Sequence, residues 1–363
     1  MRNFNRSFLY FDWISCLLTF SIALIGLLFV YSATYTPEQH YSIFFKKQAI
    51  GIFVGIFIYF IFAFIDYRTL MQWGYFAYFV VIGLLLFTLI KGSIGMGAQR
   101  WINLFFFKLQ PSELAKLFLP AFIAYYFYSH NRLNYQTWKD FIPLLVILLS
   151  SCFIIAKQPD LGTALVVLFS GLLLFWLAGL SNKFFIITFV LGIIAAPLFW
   201  QVLKPYQRNR ITVFLGGGAT HKERYQIEQA EIAIGSGGLQ GKGFMQGTQN
   251  TLQFLPESRT DMIFAVLCEE WGFMGALGLL ILYASLFIRL LWHIQYIDTS
   301  YIQLLAMGLT IHLILCAFIN ICMVTGLLPI VGIPLPLMSY GLCNLFISFA
   351  SLGWLQGIYI HHN

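Results

Sequence analysis

The sequence predicts an all-α polytopic membrane protein with about ten transmembrane helices and one large loop between the seventh and the eighth. Three observations carry this reading. Of 363 residues, 60% are hydrophobic and only 10% charged, whereas soluble chains carry roughly 25% charge. The mean hydropathy of +0.80 excludes a soluble globular enzyme. The apolar residues also fall in long runs that do not alternate, which suits helices of about 20 residues and not the strands of a membrane barrel.

The first run, Ile14 to Tyr31, follows Arg2 and Arg6, and no small-residue cleavage site comes after it, so it reads as a span and not as a cleaved signal. Gln48 to Ile65 and Gly74 to Ile90 follow. The fourth and fifth runs, Ala115 to Tyr128 and Phe141 to Ile155, are short for a full crossing and are expected to be tilted, stretched or partly re-entrant. Leu161 to Leu180 and Phe184 to Leu203 complete the first seven. The loop 204–260 then holds nine of the thirty glycines, and its stretch Ile227 to Gly238 reads as a short amphipathic helix with a glycine terminus. Phe254 and Leu255 are expected to pack on the membrane face. The last three runs are Met262 to Leu291, Ile302 to Val324 and Asn344 to Tyr359. Between the final two, Pro329, Pro334 and Pro336 imply broken or re-entrant backbone, tolerated only where protein buries it or it lines a cavity. Residues 1–363 thus form a single transmembrane domain that contains the 204–260 loop.

The six cysteines show no CxxC pair and read as small buried hydrophobes, supporting neither a disulfide frame nor a metal site. The net charge of +7 points to membrane lipid or phosphate partners and not to nucleic acid, for which no signature is present. If successive runs alternate sides, fourteen of the 21 cations, seven of them in the long loop, collect on one face. Charge does not choose the orientation, so the excess asks for another purpose, such as holding phosphate.

Three constellations could carry chemistry. In LPESRTDMIFAVLCEEWGFMG, Asp261 sits where the polar loop meets an apolar helix, dry enough to act and open enough to meet a substrate. Helix capping explains it about as well. Glu269 and Glu270 lie inside the run, so at least one must face the interior, and a structural salt bridge suits Glu270. In GAQRWINLFFFKLQPSELAKL, Ser112 marks a helix start and Glu113 can pair with Lys116 along one face. Lys116, with Arg100 and Lys108, would also make a phosphate contact, and Trp101 serves as an interfacial anchor or as a platform for a sugar or isoprenoid. In AKQPDLGTAL, Asp160 caps the sixth helix with Lys157 close enough to neutralise it. The long loop adds Arg208 and Arg210 in PYQRNR, and a glycine-rich GSGGLQGKG with Lys242 whose amides could cradle phosphate, although it is no Walker sequence.

Taken in order, GAQRW, QPSELAKL, QPDLGTAL, IAIGSGGLQGKG, LPESRTDMIFAVLCEEWGFMG and GLLPIVGIPLPLMSYG resemble the SEDS family (shape, elongation, division and sporulation) over nearly the whole chain. TQNTLQFLPE and the short tails resemble its elongation branch more than its division branch. The resemblance implies a multi-pass protein of the bacterial cytoplasmic (inner) membrane, a peptidoglycan glycosyltransferase that polymerises lipid II onto a growing glycan strand. It implies an extracytoplasmic active face, a class B penicillin-binding transpeptidase as partner, and work within the elongation machinery. Asp261 matches the family's essential acid. Trp101, Glu113, Lys116, Gln158 and Asp160 match recurring positions, as do Gln207, Arg208 and Arg210. Asp261 would be the general base, while Arg208, Arg210, Lys116 and Lys242 would hold the departing pyrophosphate and Glu269 would support. No cofactor is certain; a divalent cation, Mg or Mn, fits beside the pyrophosphate without any residue being assigned to it.

The chain departs from the family pattern at Gln229, Ala230 and Glu231, at Gly216 to Gly218, and at Leu342 and Cys343 after Ser339, Tyr340 and Gly341. Two rivals suit the same composition: a lipid II flippase and a non-catalytic scaffold for the transpeptidase. The flippase lacks a clear inverted repeat, and the scaffold leaves the basic excess without a purpose.

Overall fold

The computed structural model describes residues 10–362 apart from 38, 96–97, 105–106, 131–137, 204 and 218–220, so Arg2, Arg6 and Gly218 lie outside the described residues. Helices stand at all ten expected positions. They are α1 Trp13–Thr34, α2 Ile43–Phe64, α3 Tyr67–Lys91, α4 Pro111–His130, α5 Ile142–Lys157, α6 Leu161–Leu177 and α7 Asn182–Val202 before the long loop, and α10 Ile263–Ile294, α11 Ser300–Val324 and α12 Leu342–His362 after it. Among the described residues seven helical segments are long and apolar enough to cross a membrane, and α6 and part of α7 are shorter apolar helices. The fourth helix runs 20 residues, mostly buried in the middle of the bundle, and is not among the segments apolar enough to cross a membrane.

Polar residues at the run boundaries start the helices. Asp12 accepts from the amides of Ile14 and Ser15, Ser42 from that of Phe45, Asp66 from that of Arg68 and Asp160 from that of Thr163. Side chains facing lipid stay apolar, among them Phe53, Phe57 and Ile61 on α2. Packing inside relies on small residues. A Cβ added at Gly353 of α12 would stand 2.3 Å from the Tyr59 carbonyl oxygen of α2, and one at Gly55 would stand 2.2 Å from the Phe349 ring. The two backbones approach closely because no side chain intervenes, the usual economy of membrane helices.

Two features add to the expected ten helices. Residues 93–109 contain a three-stranded antiparallel hairpin array, β1 Ser93–Gly95, β2 Ala98–Leu104 and β3 Phe107–Leu109. The long loop also holds two helices, α8 Pro205–Phe214 and α9 His221–Gly237, plus a single turn at Thr248–Thr251. Helix α9 covers the expected amphipathic stretch but begins earlier, and Gly238 terminates it with φ +55°. Phe254 is exposed as expected, whereas Leu255 is buried in the main core and does not face the membrane.

Most of the interior is one apolar cluster shared by α1, α2, α10, α11 and α12, with a second between α3, α4, α5, α6 and α7. The proline-rich segment 326–341 is irregular, as expected, with Ile330, Ile333, Leu335, Leu337 and Met338 buried.

The α2–α12 seam predicts that Gly353→Ala lowers the melting temperature in detergent, by an overpacking cost of about 1–3 kcal/mol. Gly83 on α3 meets nothing within 4 Å, so Gly83→Ala leaves melting unchanged or raises it. Equal melting of the two variants would refute the seam.

Candidate functional site

Helix α10 is broken at Gly272 (φ 64°, ψ −162°), and the break fixes the site's first wall. In lipid the freed backbone groups need partners. The glycine-rich loop supplies them: Lys242 N donates to Glu269 O at 3.0 Å and Gly243 N to Glu270 O at 2.9 Å, while Phe273 N donates to Gly238 O at 2.8 Å and Met274 N to Leu239 O at 3.1 Å. A Cβ at Gly272 would lie 2.3 Å from Gly241 N, so the two segments interlock through absent side chains. The amides of Lys242 and Gly243 are therefore spent on α10, and this loop is no phosphate cradle.

The buried acids of α10 belong to the same joint. Glu269 Oε1 pairs with Lys242 Nζ at 2.7 Å and accepts from Thr248 Oγ1 and Gln249 N. Glu270 accepts from Ser32 Oγ and from Met245 N at 3.0 Å. The salt bridge thus falls on Glu269 and not on Glu270, and Lys242 spends its charge in that pair.

Asp261 lies two residues before α10, on a short stretch pinned from both sides. Ser339 Oγ donates to Thr260 O at 2.6 Å, Tyr340 N donates to Arg259 O at 2.9 Å, and the buried Asn320 amide bridges Asp261 O at 2.9 Å and Ile333 O at 2.7 Å. The Asp261 side chain is left out of this scheme. Met262 takes the N-cap position without a side-chain bond, so Asp261 does not cap the helix. Among the described residues its carboxylate has no hydrogen-bond partner, and Oδ2 faces Gly332, where a Cβ would stand 3.4 Å away. The carboxyl is half-buried. Desolvation pushes its pKa up to about 6, helped by Glu257 and Asp160 and opposed by Arg100 and Arg210.

The arginine that reaches this region from the hairpin is held by Asp160. Arg100 Nη1 pairs with Asp160 Oδ1 at 3.4 Å, and Asp160 Oδ2 accepts from Gln110 Nε2 at 2.6 Å and Ser112 Oγ at 3.1 Å. Asp160 also caps α6, so capping and ion pairing coexist. Its partner is Arg100, not Lys157, whose ammonium lies over the Phe153 ring. The Arg100 guanidinium lies 5.8 Å over the neighbouring Trp101 ring, and its buried Nε has no partner.

Helix α8 brings in the other basic residues. Gln207 and Arg210 are three apart and share a face; Gln207 is buried and the charge of Arg210 is felt at Asp261. Arg208 donates Nη2 to Gln201 O, while its Nε is buried without a partner.

The remaining residues lie in the structural interior. Lys116 and Glu113 pair at 2.8 Å with both side chains sealed, Lys116 Nζ donates to Cys316 Sγ at 3.7 Å, and Asn344 Nδ2 donates to Glu113 Oε2 at 3.2 Å. In this arrangement Lys116 offers no ammonium to a pyrophosphate, so its role is to neutralise Glu113. Gln158 donates to Leu85 O and Thr88 Oγ1, tying α5 to α3. The structure therefore gathers Asp261, Asp160 and Arg210 and sets Lys116, Glu113, Lys242 and Glu269 in supporting joints. Sequence reading under-weighted Arg100, Glu257, Asn320 and Gly332; the GAQRW motif signalled Arg100, and nothing local signalled the others.

The model of the cell cycle protein family that joins FtsW, RodA and SpoVE matches residues 12–363. The peptidoglycan glycosyltransferase MrdB of Escherichia coli (strain K12) is 40% identical over 324 residues, 87% of this chain and 85% of the relative. A solved chain from work on the structural coordination of polymerization and crosslinking by a peptidoglycan synthase complex superposes with a TM-score of 0.81 at 28% identity, covering 97% of this chain and 98% of that one. The rod shape determining protein RodA of Thermus thermophilus superposes with a TM-score of 0.71 at 27% identity, covering 97% of each chain.

The sealed pair yields a stability prediction. Lys116→Met leaves the Glu113 carboxylate buried without its cation, a loss of about 3–5 kcal/mol, read as a lower melting temperature or lost monodisperse yield in detergent. The double variant Glu113→Gln with Lys116→Met recovers most of it. If the single variant is as stable as the double, the pair is not structural.

Proposed function

The chain belongs to the cell cycle protein family of FtsW, RodA and SpoVE, and from that membership we propose the reaction its site performs. It is a multi-pass bacterial membrane protein and a peptidoglycan glycosyltransferase of the kind that builds glycan strands during elongation. Its substrate is lipid II, and its active face is extracytoplasmic. The observation that carries the site assignment is the unpartnered Asp261 carboxylate, with a pKa raised to about 6, beside Arg100 and Arg210.

In the reaction the 4-hydroxyl of one disaccharide lipid attacks the anomeric carbon of another with inversion. Asp261 accepts the hydroxyl proton as the oxygen lone pair forms the new bond. The bond from the anomeric carbon to the pyrophosphate breaks, and its electron pair leaves on the undecaprenyl pyrophosphate. A carboxylate with its pKa near 6 is a better base than an ordinary aspartate and is still ionised at neutral pH. Arg100 and Arg210, with Arg208 on the same helix as Arg210, meet the developing phosphate charge with preorganised guanidinium donors. Trp101, beneath the Arg100 guanidinium, offers a face to sugar or isoprenoid.

Among the described residues no three His, Cys, Asp or Glu side chains converge on a metal position. A divalent cation would arrive with the pyrophosphate and take one or two carboxylates. Glu257, whose charge is felt at Asp261, is the carboxylate that would contact Mg or Mn, which would supply charge neutralisation. The partner that suits a strand polymerase is a class B penicillin-binding transpeptidase, whose crosslinking consumes the strand this chain extends, within the elongation machinery.

Asp261→Asn is expected to insert and melt like the parent and to lose polymerisation by about 10²–10⁴-fold, measured as glycan product from lipid II in detergent. Native turnover by that variant removes Asp261 as the base. Product formation in detergent also separates an enzyme from a flippase, because detergent leaves no two sides to move lipid between.

The rate should rise with pH through an apparent pKa near 6, because only ionised Asp261 accepts a proton. The sign of each neighbour follows from its charge: Arg100→Gln moves this limb of kcat/KM to higher pH and Glu257→Gln moves it to lower pH. A limb that stays fixed in both variants would show that another group titrates.

A further inference from the structure

A transfer between two lipid pyrophosphates has two phosphate groups to hold, at different distances from the base. In the donor, the pyrophosphate is bonded to the anomeric carbon that reacts, so it must lie close to Asp261. In the acceptor, a whole disaccharide separates the attacking 4-hydroxyl from the pyrophosphate. Arg100 and Arg210, whose charges are felt at Asp261, stand where the donor needs them. The acceptor needs a cation farther off.

Arg259 has that placement. Its Cα is at most about 7 Å from that of Asp261, yet the two side chains face different elements. Asp261 Oδ2 faces Gly332, and the charges acting most on it are those of Glu257, Arg100, Arg210 and Asp160, with Arg259 not among them. The Arg259 guanidinium lies instead on the Phe44 ring of α2, 3.9 Å from its centroid.

The seat is held from several sides and leaves the donors free. Phe44 meets Tyr340 edge-on with centroids 5.3 Å apart, and Tyr340 N donates to Arg259 O at 2.9 Å, which closes a triangle. One turn along α2, Gln48 Nε2 donates to Ser339 O at 3.3 Å and holds the helix against the same segment. Arg259 is half-buried, and among the described residues its side chain makes no hydrogen bond and no ion pair. Glu257, two residues before it, accepts at Oε2 from Thr260 Oγ1. Stacking on an aromatic face fixes the plane of a guanidinium and leaves its N–H edge for a phosphate. Lys47, three residues after Phe44 and on the same face of α2, is exposed and has no acidic partner among the described residues.

We propose that Arg259 binds the pyrophosphate of the acceptor, the lipid whose 4-hydroxyl attacks, with Lys47 adding positive charge beside it. The inference rests on the glycosyl transfer proposed above and adds a second subsite to it. After each transfer the acceptor's pyrophosphate carries the lengthened strand. Arg259 therefore holds the strand while the donor's pyrophosphate departs past Arg100 and Arg210.

The test is the initial rate of polymerisation by the purified full chain in detergent. One arm uses lipid II. The other splits the roles between a lipid II that lacks the 4-hydroxyl, which serves only as donor, and the same disaccharide-peptide on an uncharged farnesyl ether, which serves only as acceptor. With lipid II, Arg259→Gln should raise KM about tenfold, the weight of one hydrogen bond to a charged group, and leave kcat near that of the parent. Arg259→Lys, which keeps the charge and loses the fork, should fall between the two. With the split substrates the parent and Arg259→Gln should perform alike, because that acceptor has no phosphate to bind. Lys47→Gln, a change at an exposed position, should raise KM by less and carries the test if Arg259→Gln melts early. An unchanged KM in these variants overturns the subsite, as does a loss confined to kcat. A deficit of Arg259→Gln that persists with the phosphate-free acceptor overturns the assignment to pyrophosphate, since sugar and peptide are all that acceptor retains. A parent that makes no glycan from lipid II would instead refute the glycosyl transfer itself, so the two failures are distinct.

Discussion

The architecture around Asp261 depends on one constraint: a helix broken at membrane depth must have its freed backbone groups satisfied by protein. Gly272 breaks α10 with a φ that only glycine adopts without strain, and residues 238–243 lie in the gap as a surrogate strand. The interlock is paid for twice, in backbone hydrogen bonds and in the buried acids Glu269 and Glu270, whose oxygens hold Lys242, Thr248 and the amides of Met245 and Gln249. With the loop clamped there, the chain between Leu252 and Met262 has a fixed exit, and Asp261 is delivered to one place.

A second non-helical segment completes the placement. Prolines at 329, 334 and 336 keep 326–341 from forming helix, which frees its carbonyls and amides to meet side chains from elsewhere. Asn320 and Ser339 use them to hold Thr260 and Asp261 by their backbones. Gly332 matters for a different reason: at φ +76° it turns the chain beside the Asp261 carboxylate and adds no side chain over it. The Asp261 carboxyl is thus positioned through its main chain while its oxygens stay uncommitted.

What the sequence disclosed follows the range of the interactions involved. Helix positions were legible because a spanning helix needs only its own apolar run, and so were Asp160 as a cap and Glu113–Lys116 as an i,i+3 pair, which are local. Asp261 stood out because an acid at a polar–apolar junction is unusual by itself. The strands of 93–109 escaped because segments of three residues, even one of seven beside them, carry too little periodicity to distinguish from a polar turn. Lys242–Glu269 spans 27 positions and Arg100–Asp160 spans 60, so no spacing rule reaches them. The glycine-rich loop misled for a physical reason: glycines that let a backbone approach phosphate also let it approach another backbone, and here the other backbone is α10.

The distribution of acids shows why the proposed base sits at the end of a helix and not inside one. Glu113, Glu269 and Glu270, which lie within α4 and α10, are all buried and each is tied to a cation or to hydrogen-bond donors, since a charge at that depth cannot stand alone. An acid so paired and sealed is out of reach of a substrate proton. An acid in open water is free, but it is too weak a base to draw a proton from a sugar hydroxyl. Asp261 occupies the narrow zone between these limits. Partial desolvation and the Glu257 charge raise its proton affinity, and Arg100 and Arg210 keep it ionised from a distance without binding it. In the proposed reaction a bound pyrophosphate would draw the charge of Arg100 and Arg210 toward itself and leave Asp261 more basic at the moment a proton has to move.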